Sequence, residues 1–126
     1  FSSTATFAQY ALIEALNGPQ VEIDKMVAEF RRRRDVIVDG LNSIEGVSCL
    51  RPEGAFYVFP NITGTGLRSK EFADMMLEQA GVACLSGTSF GEYGEGYVRF
   101  SYANSVENIR EALAKMKATL ATVHRA

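Results

Sequence analysis

Apolar positions along the first third of the chain recur every three or four residues, the period of a helix buried along one stripe. Residues 4 to 16, "TATFAQYALIEAL", read as a first helix with Phe7, Tyr10, Ala11 and Ile13 or Glu14 near one face, stopped at Asn17-Gly18. Pro19 suits the first turn of a second helix, where the N–H it lacks would have no partner. That helix runs to about Ser43, and its seam is Met26, Phe30, Ile37, Leu41 and Ile44. At 1.5 Å per residue it extends roughly 35–40 Å, longer than a compact domain of this size needs, so it is expected to lean on something else.

Past Gly46 the period changes from helical to alternating. "VSCL" reads as a short strand, "RPEG" as a turn, and "AFYVFP" as a second strand ended by Pro60. The loop "NITGTGLR" leads to Ser69, which is placed to cap a helix through about Ala80, with Glu71 in the first turn and Gly81 closing it. "VACL" is a third strand, "SGTSFGEYGEG" a flexible glycine-rich loop, and "YVRFSYA" a fourth strand. Asn104 or Ser105 caps a last helix to about Val123, with Ile109, Leu113, Met116 and Leu120 inward. The order α-α-β-β-α-β-β-α predicts an α+β fold, or layered α/β sandwich, with a small mixed or antiparallel sheet of about four strands covered by helices.

Composition narrows the function classes. A chain of 126 residues is one domain's worth, and 47% apolar with 22% charged residues is ordinary for a globular protein. A net charge of −2 argues against nucleic acid as the main partner. No stretch approaches the ~18 apolar residues of a membrane span. Cys49 and Cys84 fall in predicted strands without C-x-x-C spacing and read as reduced core residues, from which a cytoplasmic location follows. The opening "FSSTATFAQYAL" looks like chain already under way, as in a piece of something longer.

The candidate chemistry centres on Arg99. In "YVRFSYA", alternation puts Val98, Phe100 and Tyr102 on one side and Tyr97, Arg99 and Ser101 on the other. A guanidinium pointing off a sheet face forms a surface ion pair or, because its planar fork matches a carboxylate with two parallel hydrogen bonds, an anion clamp. The residues alone leave both open. The run Arg31 to Arg34 spreads around its helix at ~100° per residue and reads as a solvated face. The glycines of "SGTSFGEYGEGY" have no phosphate-loop spacing, and His124 has no Ser or Cys partner for a triad. Lys70, in "RSKEF", falls in the first turn of an amphipathic helix and reads as a solvated lysine, not one that forms an imine.

Taken in order, "ATFAQYALIEAL", "RRRRDVIVDGLN", "RPEGAFYVFPNI", "EFADMMLEQAGVACLSGTSFG" and "YVRFSYANSVENIREAL" resemble the C-terminal small domain of a class I/II aminotransferase. These are fold-type I pyridoxal-phosphate enzymes, and the bacterial aspartate-aminotransferase-like subgroup is the nearest. The resemblance implies that Arg99, in the position of the arginine of the V-R-[FIL]-S-[YF]-A strand, grips the substrate's α-carboxylate. It implies that Phe56, the aromatic after "GA" in "GAFYVFP", lies near substrate and cofactor. Ser2 matches the serine of S-N-P-A-T-x-A-Q, which reaches the active site of the partner subunit; Ser3 and Thr4 replace the usual Asn and Pro, and Ser86 stands where proline is common before "GT".

The same resemblance implies one domain over 1–126, with 1–44 a helical connection to a large domain upstream of Phe1 and 45–126 the sheet-and-helix core. The cofactor would be pyridoxal 5'-phosphate, the substrates an amino acid and a 2-oxo acid, and the assembly a homodimer. The imine-forming lysine, the acid facing the pyridine nitrogen and the phosphate ligands would lie in that large domain, so residues 1–126 alone would be inactive. Apolar surface on residues 1 to 30 would then be exposed in the piece on its own. A non-catalytic binding module of the same fold, a related lyase and an aminotransferase-like regulator are the alternatives.

Overall fold

The structure is a computed structural model, and it describes residues 2–123. Helix α1 (Thr6–Asn17) is followed by α2 (Val21–Asn42), β1 (Tyr57–Val58), α3 (Ser69–Ala80), β2 (Leu85–Ser86), β3 (Val98–Ser101) and α4 (Val106–Val123). The three strands form one antiparallel sheet in the order β1-β3-β2, so β3, which carries Arg99, is central. The register pairs Tyr57 with Ser101 and Val58 with Phe100 on one side, and Leu85 with Arg99 and Ser86 with Val98 on the other. The α+β class and the helix-covered antiparallel sheet follow the sequence pattern, with three strands where the alternation suggests about four.

The difference lies in "VSCL". Ser48 makes only an isolated bridge to Asn61, which in turn bridges Tyr97. The cause is one residue further on. The Asn42 side chain accepts from the Cys49 N–H at 2.8 Å and donates to the Cys49 carbonyl at 3.0 Å, so the last turn of α2 satisfies the backbone that a strand would have used. "VACL" is displaced for a similar reason: the Val82 N–H is bonded to the Met76 carbonyl at the end of α3, and pairing begins only at Leu85.

One core joins the inward side of the sheet to three helices. Val58, Val98, Phe100 and Tyr102 pack with Ile37, Val38 and Leu41 of α2, Phe72 and Met76 of α3, and Ile109, Met116 and Leu120 of α4. Leu113 is half-buried and lies against Gly40, where a Cβ would collide with it, so α2 and α4 cross closely at that glycine. The caps explain the helix ends. Ser105 Oγ accepts from the Asn108 N–H at 3.1 Å to start α4, and Gly81 closes α3 with φ +64, a left-handed conformation that favours glycine. Pro19 stays outside α2, which begins at Val21. Gln20 intervenes because its amide donates to the Ala15 and Gly18 carbonyls and closes α1 first.

Only the C-terminal half of the predicted α2 seam is buried. Ile37, Leu41 and Ile44 are in the core, whereas Met26 is 52% exposed. Helix α1 has no buried residue, and Phe7, Tyr10 and Leu16 are 79%, 71% and 72% exposed. The N-terminal helices thus carry a row of large apolar side chains facing outward, as expected for residues 1 to 30. Phe1 and His124 lie outside the described residues.

Candidate substrate-carboxylate site

Sheet register assembles the candidate site. Arg99 sits opposite Leu85, and Tyr57 opposite Ser101, so these four side chains share the face turned away from the core. They line a hollow of about 180 Å³ together with Ala83 and Cys84. The Arg99 guanidinium lies between two aromatic rings, 4.3 Å from the Tyr57 centroid and 4.4 Å from the Phe90 centroid. Among the described residues it forms no salt bridge, since the ion pairs are made by other arginines and lysines. Rings cover the flat faces of a cation but satisfy none of its in-plane N–H donors. The group is therefore flanked by two π surfaces while its N–H donors have no acceptor among the described residues.

The thiol in the hollow leaves that charge uncompensated. Burial pushes the Cys84 thiol up to about 12, so it stays neutral at ordinary pH and offers the guanidinium no counter-ion. Cys49, in the core, is pushed up to about 11 by the same cause, and both cysteines are free thiols. No group of three metal-ligating side chains comes together among the described residues.

The glycine-rich segment before β3 is folded, where the sequence suggests a slack loop. Two 3-10 turns, Gly87–Phe90 and Glu92–Gly94, are closed by the Gly87 N–H donating to the Tyr97 carbonyl at 2.8 Å. Gly87 and Gly94 touch through their backbones, and a Cβ on either would run into the other's carbonyl. Ser69 fastens the base of this loop. It is not the cap of α3 but its first residue, fully buried, with Oγ accepting from the Gly96 N–H at 2.8 Å and the Tyr97 N–H at 3.1 Å. The cap position falls to Arg68, whose N–H donates to Glu71 Oε2 at 3.1 Å. Glu95 answers from the loop, accepting from the Ser69 N–H at 2.9 Å, and that bond foremost holds its carboxyl below the usual range.

The other expected site residues lie elsewhere. Phe56 is 40% exposed and does not line the Arg99 hollow. It lines a separate apolar hollow with Phe30, Met26 and Tyr102, although its ring is 4.5 Å from that of Tyr57. Ser2 is exposed in the extended lead-in to α1. Arg32 and Arg33 pair with Glu29 and Arg34 with Asp35, in keeping with a solvated helix face. Tyr57, Phe90 and the Ser69–Glu95 clasp did not emerge from the sequence. Pairing the two strands in register would have found Tyr57, but Phe90 has no periodic signal at all.

Comparison with known proteins gives the family. The family model for aminotransferase class I and II matches residues 1–116. The chain is 43% identical over 120 residues to the aspartate aminotransferase of Pyrococcus horikoshii, covering 94% of this chain and 31% of that protein. It is 43% identical over 117 residues to aromatic-amino-acid aminotransferase 2 of Thermococcus litoralis, covering 91% and 30%. The crystal structure of an aromatic aminotransferase from Pyrococcus horikoshii OT3 superposes with a TM-score of 0.89 at 41% identity, over 96% of this chain and 32% of that one. The chain belongs to the aminotransferase class I and II family, and it spans about a third of the length of these relatives.

Pyridoxal 5'-phosphate is the cofactor expected of this family. The donor set in residues 2–123 does not fit it unaided. Lys25, Lys70 and Lys115 are exposed on helices and paired with Glu22, Asp74 and Glu111, and Lys117 is exposed on α4. The hydrogen bond to Asp74 raises the pKa of Lys70 and so keeps it a protonated, poor nucleophile. No lysine lines the Arg99 hollow. No helix among the described residues is long and apolar enough to cross a membrane.

Proposed function

We propose that the whole protein is a pyridoxal-phosphate-dependent aminotransferase, aspartate-aminotransferase-like, moving an amino group between an amino acid and a 2-oxo acid. In this reading residues 1–126 form its C-terminal domain, and Arg99 binds the substrate's α-carboxylate. The observation that carries it is the guanidinium held between Tyr57 and Phe90 beside an open hollow, without a carboxylate partner among the described residues. Two parallel charge-assisted hydrogen bonds fix a carboxylate in position and in plane, and such orientation lowers a barrier by several kcal/mol. Phe56 would act one layer away, bearing on Tyr57, and Ser2 would reach the active site of a partner subunit in a homodimer.

The test compares an amino acid with its carboxamide as amino donor to the intact protein. The carboxamide keeps the shape and removes the charge, so kcat/KM is expected to fall at least about a hundredfold. Equal values for the two donors would remove Arg99 from the reaction.

The cofactor's covalent attachment and the cover for α1 belong to the large domain in this reading. Residues 1–126 expressed alone should therefore show no transaminase activity, form no borohydride-reducible imine at Lys70, and self-associate through the row from Phe7 to Met26. Activity assay, peptide mass mapping and sedimentation velocity check these together. An imine at Lys70 or a clean monomer at high concentration would contradict the division of labour.

A further inference from the structure

We propose that Phe90 is a positioning residue for Arg99: its ring closes the second face of the guanidinium, so that only the N–H edge meets a ligand. The inference rests on the reading of Arg99 as the carboxylate grip. The two covers differ in origin. Tyr57 belongs to β1, locked in register against β3, whereas Phe90 comes from the glycine-rich loop. Phe90 is 50% exposed, so half of its surface is covered by neighbours. One of these is Arg99, at 4.4 Å.

The surroundings of Phe90 are built to hold it there. Phe59 meets it edge-on at 6.0 Å, and Phe59 is itself stacked on Tyr97 at 5.4 Å with 8° between the planes. Gly91 follows with φ +126, a conformation closed to residues with a Cβ, and turns the chain away immediately after the ring. The Gly87–Gly94 backbone contact and the Ser69 hydroxyl pin both ends of the segment. With both flat faces occupied, a spherical or face-on ligand has no approach, while a planar carboxylate arriving edge-on meets a fork already aligned. Without Phe90 the guanidinium can tip off Tyr57, and part of the alignment must be made on binding.

The experiment is a double-mutant cycle in the intact enzyme, measuring KM and kcat for an amino acid donor. Phe90→Leu is expected to raise KM about tenfold and change kcat less than threefold. Phe90→Tyr should restore KM to within about twofold, because it returns the π face. In an Arg99→Lys background, Phe90→Leu should add less than about a twofold change, since the planar group it aligns is gone. Phe90→Met, which fills the space without a π face, replaces Leu should Leu unsettle the loop. An unchanged KM in both Leu and Met variants, a full effect in the Arg99→Lys background, or no rescue by Tyr would overturn the assignment of Phe90. Arg99→Lys without any effect would instead sink the underlying reading, and this inference with it.

Discussion

If the proposed function holds, Arg99→Lys in the intact protein is expected to lower kcat/KM for an amino acid donor by about two to three orders of magnitude, corresponding to roughly 3–4 kcal/mol of lost transition-state stabilisation. The charge is conserved, so the loss isolates geometry. Lysine presents a point charge on a flexible stem, cannot offer two parallel donors to a carboxylate, and cannot lie flat between the Tyr57 and Phe90 rings, now 4.3 and 4.4 Å from the guanidinium. The side chains sharing the hollow do not replace the charged fork: the Cys84 thiol is neutral, being pushed up to about 12 by burial, and Ser101 offers a single uncharged hydroxyl. Steady-state kinetics on both proteins decide the matter, and a kcat/KM within threefold of the parent enzyme would take Arg99 out of the substrate site.

The position of Arg99 was legible because strand alternation has a period of two and leaves no freedom: with Val98 and Phe100 in the core, residue 99 must face out. The helices were legible for the same reason, their period being carried by runs such as Ile109, Leu113, Met116 and Leu120. Contacts between distant segments were not legible. "VSCL" has a strand's composition, yet the Asn42 amide seven residues earlier claims its backbone. Ser69 has the composition and position of a helix cap, and its hydroxyl instead bonds 27 and 28 residues away. The glycines of 87–96 suggest slack, and two of them exist because backbone meets backbone. Phe56 and Ser2 were placed by family resemblance: Phe56 does not line the hollow that contains Arg99, and Ser2, assigned to the active site of a partner subunit, is exposed ahead of α1.

The route from core to site runs through Ser69, so Ser69→Ala is expected to cost about 2 kcal/mol of stability although it removes one oxygen atom. That oxygen is fully buried and accepts from two backbone N–H groups, those of Gly96 and Tyr97. Alanine leaves each donor only a longer alternative, the Glu95 carboxylate at 3.3 Å for Gly96 and the Gly94 carbonyl at 3.2 Å for Tyr97, and puts a void where the hydroxyl was. Ser105→Ala is the matched control. Its hydroxyl accepts from a single N–H at the exposed start of α4, and about 1 kcal/mol is expected for such a cap. Urea unfolding of the two variants should show the Ser69 change as the larger, with hydrogen exchange accelerated first at Gly96 and Tyr97. The consequence extends to the site, because the same loop carries Phe90 on its first turn and leads directly into the strand of Arg99. A Ser69→Ala protein as stable as Ser105→Ala would mean that the loop is held by its glycine contacts alone, and the buried hydroxyl would lose its place in the support of the guanidinium.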